Sequence, residues 1–183
     1  NFASATITSG KVTGNGTFES ENLVIAANGD VEQQKVSAGT VTNDGRLAAH
    51  DLAVTTKADN NASGTIEVHD KLAGNIVNAG TLLFTDGDTA DHDPGTLHFV
   101  SGTVTNTAKL TASEKVSVEG GHLIQNSDTA ASFTDVAISE GDFRVNAGKA
   151  SNLSGALNVA LADKTQTAVA NLGTLTFKTT DIA

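Results

Sequence analysis

The chain has 183 residues, a length that fits one domain with a sizeable core. Its 21 acidic and 11 basic residues give a net charge of −10, which argues against a nucleic-acid ligand because phosphate binding needs a basic stripe. It has no cysteine, which excludes disulfides and thiol catalysis, and no apolar run approaches the roughly 20 residues of a membrane-spanning helix.

Short strand-like runs alternate with tight bends from the start of the chain. Residues 22–27 predict a strand that ends at the bend 28–30, and residues 51–56 predict another that ends near 59–61. The alternation in 64–68 has the two-residue period of a half-buried strand. The chain has 18 glycines but only 1 proline, which suits bends between strands that are paired on both sides.

One template recurs between these bends: a valine or isoleucine, then an asparagine, a glycine or alanine, and a leucine at every second position. It occurs at 41–47, 76–82, 104–110 and 169–175. Asparagine before a small residue is typical of a bend, because asparagine tolerates the left-handed backbone region. The aliphatic positions predict a stacked interior of Val41, Leu47, Ile76, Leu82, Val104, Leu110, Val169 and Leu175. The asparagines are expected to form a hydrogen-bonded ladder along one corner.

The spacing of the bend asparagines gives the period of the repeat. The bend asparagines are Asn43, Asn61, Asn78, Asn106, Asn126 and Asn146, and the intervals between successive members are 18, 17, 28, 20 and 20. The long interval contains the polar run 86–93, and leaving out those eight residues reduces 28 to 20. A period near 20 with three short strands predicts an all-β fold, a right-handed parallel β-helix (solenoid) of roughly nine coils. The prediction is one domain over 1–183 with an acidic loop insertion at 86–93.

Two other fold classes compete with the solenoid. A doubly wound α/β fold is disfavoured because no long stretch places apolar residues at helical spacing. An Ig-like sandwich also has many short strands and stays the alternative, but it does not repeat an asparagine bend at a constant period.

The repeats resemble those of a known family. The segments Gly-Thr-Val-Thr-Asn-Asp-Gly-Arg-Leu (39–47), Gly-Thr-Val-Thr-Asn-Thr-Ala-Lys-Leu (102–110) and Asn-Leu-Gly-Thr-Leu-Thr-Phe (171–177) are similar to the passenger repeats of Gram-negative autotransporter adhesins, in particular the AIDA-type self-associating proteins. The likeness covers nearly the whole chain and is one of repeat style. It implies a parallel β-helix passenger domain, or part of one, that is exported across the outer membrane and displayed on the bacterial cell surface.

The acidic insertion offers the densest group of possible ligands. Its carboxylates stand at positions 1, 3, 6 and 8, which does not match the calcium loop of an EF-hand. We interpret it as a solvated contact loop, with a weak calcium site at 86–93 as the alternative and no other cofactor or metal. The candidate binding residues are Asp86, Asp88, Asp91, His92 and Asp93 of the loop and Asn43, Asn78 and Asn106 of the bends.

Four histidines outside this loop are possible ligands. His50 and His69 lie about one repeat apart, so they are expected to stack on neighbouring coils as a surface pair. A zinc site would need a third protein ligand, and none is in view. His98 and His122 are expected to point outward into solvent.

The functional prediction is a cell-surface adhesin and not an enzyme. No Gly-x-Ser-x-Gly motif is present, and there is no tryptophan or tyrosine against which a sugar could stack. The expected partner is another copy of the chain in side-by-side rods, leading to aggregation and biofilm, or host surface glycans and matrix proteins. Nucleic acid and membrane insertion are not expected. The alternatives are a carbohydrate-binding or carbohydrate-degrading β-helix and a passive structural stalk.

Overall fold

The structure is a computed structural model, and it describes residues 1–84, 96–112, 115–161, 167–177 and 179–182. Within these residues every regular element is a strand and none is a helix. The strands are β1 (Phe2–Asn43), β2 (Arg46–Asn60), β3 (Thr65–Asn78), β4 (Thr81–Phe84), β5 (Thr96–Ser101), β6 (Thr103–Asn106), β7 (Lys109–Ala112), β8 (Lys115–Val118), β9 (His122–Gln125), β10 (Ala131–Phe133), β11 (Val136–Ile138), β12 (Asp142–Val145), β13 (Ala150–Leu153), β14 (Ala156–Val159), β15 (Val169–Asn171), β16 (Thr174–Thr176) and β17 (Thr179–Ile182).

The strands stack in parallel, each on the strand one turn earlier. β2 lies on β1, β3 lies on β2, and β4, β5 and β6 lie on successive parts of β3. From β6 onward each strand pairs with the third strand before it, as β7 does with β4 and β9 with β6. Parallel pairing of every strand with its counterpart one repeat earlier is the arrangement of a solenoid, which confirms the predicted β-helix class.

The register pairs of the described strands make about six turns, fewer than the roughly nine predicted. Some turns are longer than the period taken from the asparagines. Phe143, for example, pairs with Val169. The six turns from Thr42 to Ala170 nevertheless average about 21 residues, close to the predicted period, so the difference arises mainly because the prediction counted coils over all 183 residues.

Each coil has three sides. The first side contains residues 46–49 and the strands stacked on them, up to 174–176. The second side contains 51–54 and the strands stacked on them, up to 179–182. The third, which we call the ladder side, consists of 40–43, 57–60, 76–78, 103–106, 122–125, 142–145 and 169–171.

The core lies inside the coils, where alternate side chains of all three sides meet. Of the eight predicted interior positions, six are fully buried: Val41, Leu47, Ile76, Leu82, Val104 and Leu110. Val169 and Leu175 are only partly buried, because no described strand stacks beyond β15 and β16. Burying a side chain of this size contributes about 1.5–3 kcal/mol, so the aliphatic stacks supply much of the stability of the rod.

A column of glycines turns the corner before the ladder side. Gly102 has a φ of +96°, and a Cβ there would overlap the carbonyl oxygen of Gly74 in the coil below. Gly74, Gly121 and Gly141 also have positive φ. By contrast, no described residue other than glycine has positive φ, so the asparagine bends do not use the left-handed backbone that the sequence suggested. Glycine supplies the backbone geometry, and asparagine has a different role.

Candidate functional site

A ladder of buried amides lines the inner face of the ladder side. Asn43 Nδ2 donates to Asn60 Oδ1 at 2.7 Å, and Asn60 Nδ2 donates to Asn78 Oδ1 at 2.6 Å. The chain of bonds continues from Asn78 to Asn106 at 2.7 Å and from Asn106 to Gln125 Oε1 at 2.7 Å. All five side chains are buried, with at most 1% of their surface exposed. A hydrogen-bonded ladder along one corner is therefore confirmed through five consecutive coils, but of the bend asparagines only Asn43, Asn78 and Asn106 belong to it.

Each amide also donates a hydrogen bond to a main-chain carbonyl oxygen near the corner. Asn43 Nδ2 donates to the carbonyl oxygen of Thr65 at 2.9 Å, and Asn106 Nδ2 donates to that of Ala108 at 2.9 Å. Gln125 Nε2 donates to the carbonyl oxygen of Thr129 at 2.8 Å. Buried polar groups are costly unless paired, so these contacts let the polar ladder replace apolar side chains inside the core.

The ladder has a defined beginning and end. The residue after Asn43, Asp44, donates its backbone N–H to the carbonyl oxygen of Ile25, just as the residue after Asn60, Asn61, donates to the carbonyl oxygen of Asn43. Ile25 therefore occupies, one coil earlier, the position that Asn43 occupies in its own coil. Isoleucine has no donor to offer, and Asn43 Oδ1 is buried without a hydrogen-bond partner. On the last rung, Gln125 pairs in register with Val145, which is also apolar. Aliphatic residues therefore cap the ladder at both ends.

The ladder does not coincide with the asparagines that the spacing selected. Asn60 and Gln125 are its members, whereas their neighbours Asn61 and Asn126 point outward, and Asn61 Nδ2 donates to Asp44 Oδ1 at 3.0 Å. The alternation of buried and outward side chains within each strand distinguishes a ladder residue from its neighbour. The ladder residue lies two positions after a buried side chain such as Ala58 or Leu123 and therefore points to the same, inner face.

The predicted binding residues fall into two groups. Asn43, Asn78 and Asn106 are brought together by the ladder, but their buried amides bond to each other and do not reach a surface partner. The loop residues Asp86, Asp88, Asp91, His92 and Asp93 lie outside the described residues.

The outer surface of the ladder side carries a straight column of side chains that the sequence reasoning did not identify. Register pairs join, in order, Thr42, Asp59, Val77, Thr105, Ile124, Arg144 and Ala170, and we call this set the outer column. Each member as far as Arg144 lies between two buried residues of its own strand and therefore points outward. Val77 is 36% exposed, an outward aliphatic near the centre of the face.

Charges on the ladder side are paired and balanced. Lys57 Nζ lies 2.6 Å from Asp59 Oδ1. Arg144 holds Asp142 with two hydrogen bonds of 3.0 and 2.7 Å, and these bonds raise the pKa of the arginine. His122 Nδ1 lies 2.9 Å from Asp142 Oδ2, so this histidine is paired as well as partly solvated. Two cations and two carboxylates sum to zero on a side that belongs to a chain of net charge −10.

The first side has a cluster of stronger charge. Arg46 contacts Asp30, Glu32 and Glu67 at 3.0, 3.0 and 2.7 Å, and Lys11 contacts Glu32 at 2.9 Å. The hydrogen bond from Lys11, followed by that from Arg46, lowers the pKa of Glu32 to about 2. These five residues tie coils together from outside the core.

A polar cavity of about 260 Å³ opens beside this cluster, and it is lined by Glu32, Gln33, Arg46, His50 and His69 among others. The two histidine rings have centroids 5.3 Å apart, which confirms that they stack on neighbouring coils. Among the described residues no group of three or more His, Cys, Asp or Glu side chains could hold a metal ion. The lining of the cavity suits a small polar ligand.

The second side contains a histidine that is paired with a glutamate. His98 is partly buried, and its Nδ1 hydrogen-bonds Glu119 Oε1. Burial is the largest single effect and raises the pKa of Glu119, but hydrogen bonds from His98 and Ser117, together with the charges of His98 and Lys71, shift the pKa downward overall. The expectation that this histidine is solvated therefore holds only in part.

Comparison with known proteins gives no relative for this chain: no family model, no curated protein and no solved structure matches it. In the described part of the chain, no helix has the length and apolar character required to cross a membrane.

Proposed function

We propose that this chain is a cell-surface adhesive module, of the kind found in autotransporter passengers, which associates with other copies or with host surfaces through the outer face of its ladder side. The observation that carries the proposal is the outer column, in which outward side chains repeat in a straight row from coil to coil. Such a row offers many side-chain contacts at a regular spacing along one rigid face.

The geometry of the coil favours side-chain contacts over strand addition. In a solenoid each strand is paired with the coils on both sides of it, so unpaired strand edges exist only at the two ends of the rod. The outward residues of the ladder side are mostly β-branched or polar, and one such contact contributes about 0.5–1.5 kcal/mol. Useful affinity then requires many contacts along the axis, multiplied by the number of rods on a surface.

The proposal is tested by displaying the chain on cells or beads and measuring their settling and their attachment to host glycans and matrix proteins. We expect displayed rods to clump or attach, and purified rods to associate weakly near millimolar concentration. Added salt should strengthen self-association or leave it unchanged, because it screens the repulsion between two chains of net charge −10. If neither cells nor purified rods associate with anything offered, the adhesive proposal fails and the passive stalk remains as an alternative.

The polar cavity on the first side supports a second candidate, the binding of a carbohydrate. Gln33 is nearly buried at its edge, and the Cβ of any side chain at Gly14 would lie 2.8 Å from Gln33 Oε1, so the cavity wall is closely fitted. Amides, a carboxylate and imidazoles are groups that bind sugar hydroxyls. A glycan array read with wild-type chain and with Gln33→Leu would show binding lost in the variant, and an array without any signal would remove this candidate.

A further inference from the structure

We propose that the partner of the ladder side is a second copy of this chain, packed face to face and antiparallel about a two-fold axis that passes through Thr105. The inference rests on the proposed function and adds to it one partner, one face and one register. Most oligomers of identical chains are symmetric, and a two-fold contact uses the same patch on both copies.

The outer column is complementary to itself when it is reversed about Thr105. One coil to either side of this residue lie Val77 and Ile124, and two coils to either side lie Asp59 and Arg144. Turning a second copy end over end therefore places Val77 opposite the other copy's Ile124, and Asp59 opposite the other copy's Arg144. Each of these pairs occurs twice, and Thr105 meets its own counterpart on the axis.

The next rung outward preserves the match. Thr42 stands three coils before Thr105 and Ala170 three coils after it, so two small side chains meet without a charge. No rung of the reversed column places like charges opposite each other. Because like charges directly opposite are destabilising, this pattern permits an approach that the overall charge of −10 opposes elsewhere.

A parallel arrangement of the two copies fits less well. Rotation about an axis beside the outer column would place it against the neighbouring outward column of the partner, which contains Lys57, Asn75 and His122. Asp59 would still meet a lysine and Arg144 would meet Asp142, which pairs with His122 in register, but Ile124 would face an imidazole and Val77 would face an amide.

A parallel axis that runs along the outer column itself brings each side chain against its own counterpart. The aliphatic residues would then meet, but Asp59 would face Asp59 and Arg144 would face Arg144, so like charges would oppose each other. Only the antiparallel register pairs the two aliphatic side chains and also the two opposite charges.

The size of the face indicates a weak contact. Six coil spacings of about 4.8 Å and strands of four residues at about 3.3 Å each give a patch of roughly 400 Å² per copy. The total of roughly 800 Å² is below the about 1,200 Å² of stable complexes. The contact therefore forms at high local concentration, as on a surface that displays many rods.

Charge reversal tests the register. Asp59→Arg places two arginine pairs in opposition, and Arg144→Asp does the same with carboxylates, so each change should weaken self-association about tenfold, the equivalent of roughly 1.4 kcal/mol. The double variant Asp59→Arg with Arg144→Asp restores both opposite-charge pairs in the antiparallel register and keeps the net charge, and it should recover wild-type association. With a parallel axis beside the column, the double variant would place the introduced arginine against Lys57 and would not recover. Matched controls with the same changes in net charge are Glu19→Arg and Lys115→Asp, which lie off the ladder side.

Cross-linking locates the axis independently. The chain has no cysteine, so Thr105→Cys introduces a single thiol. Faces in contact lie about 10 Å apart, which is beyond a disulfide, so a short bis-maleimide is the appropriate reagent. We expect covalent dimers from Thr105→Cys and none above background from Ala137→Cys on the second side.

The measurements are sedimentation equilibrium of the purified chains near millimolar concentration and gel analysis of the cross-linked products, with the melting temperature of each variant as the check of folding. A wild-type chain that associates equally well after either single reversal overturns this inference and leaves the adhesive function standing. A wild-type chain that attaches to host surfaces but does not associate with itself also overturns this inference and leaves the adhesive function standing. A chain that attaches to nothing overturns both.

Discussion

Replacing one amide of the buried ladder by valine gives the sharpest test of how the fold is held together. Asn106 accepts a hydrogen bond from Asn78 Nδ2 and donates to Gln125 Oε1, both at 2.7 Å. Valine at this position deprives both neighbouring amides of one partner. A buried polar group left unpaired costs about 1–3 kcal/mol, so Asn106→Val should lower the free energy of unfolding by about 2–6 kcal/mol before the gain from its buried methyl groups.

Asn43→Val is the matched comparison, because Asn43 stands at the end of the ladder. Its Oδ1 has no partner, and its only ladder bond is the one to Asn60 Oδ1. Valine therefore deprives a single neighbour of its partner and also removes an acceptor that is already buried and unpaired. Each substitution also removes one hydrogen bond to the main chain, from Asn43 to Thr65 O or from Asn106 to Ala108 O. These two losses are similar, so they cancel when the two variants are compared.

We expect Asn106→Val to be more destabilising than Asn43→Val by about 1–3 kcal/mol. Urea unfolding followed by far-ultraviolet circular dichroism measures the difference, and equal slopes with denaturant show that the unfolded states are comparable. Thr105→Val is the control, since it makes a similar change on the outer face of the same strand and should stay within about 0.5 kcal/mol of wild type. Equal losses for the two ladder variants, or a larger loss for Asn43→Val, would refute the idea that the ladder acts through paired amides.

Three further predictions concern the corners, the charges and the acidic insertion. Gly102→Ala should destabilise the fold by at least about 2 kcal/mol because of its positive φ and the carbonyl oxygen of the coil below, whereas Gly16→Ala, with no atom within 4 Å of its added Cβ, should change little; urea unfolding of both gives the comparison. The pKa of Glu32 is lowered from its ordinary 4.5 to about 2, so the contribution of this carboxylate to stability is present above pH 4.5 and is lost as the pH falls toward 2. Over this window the melting temperature of Lys11→Gln should fall less than that of wild type, by a small margin because both side chains are about half exposed. Parallel curves of melting temperature against pH would contradict this prediction. Deleting residues 86–93, which lie outside the described residues, should leave the melting temperature within a few degrees because loop length contributes little to closure entropy, whereas a drop of tens of degrees would reveal a structural calcium site.

Much of the fold was predictable because the sequence repeats its physical pattern. A buried aliphatic at every second position, a bend and a glycine recur at a nearly constant interval, and a short strand pattern of constant period has few other ways to bury its apolar face. The stacking of His50 on His69 followed from the same period. The number of coils was overestimated because the period was applied to all 183 residues, whereas the register pairs of the ladder side make six turns between Thr42 and Ala170.

The exact members of the ladder were less predictable. Asn60 and Asn61 are adjacent, as are Gln125 and Asn126, and a one-residue shift moves a side chain from the core to solvent. The count of residues between bends does not distinguish the two neighbours. The alternation within each strand does, but in strands of four residues that alternation is short and is overridden by register shifts such as the one between Val54 and Ala58.

The sequence by itself therefore determined the class of fold, the aliphatic interior and the use of amides at one corner, because these depend on local alternation and on a repeated period. Only the tertiary structure decided which outward residues share a column. Asp59 and Arg144 are far apart in the sequence, and their places four coils from each other depend on the length of every intervening turn. The length of a turn is set at its corners and bulges. Packing between coils determines these, and the residues on the outer face do not.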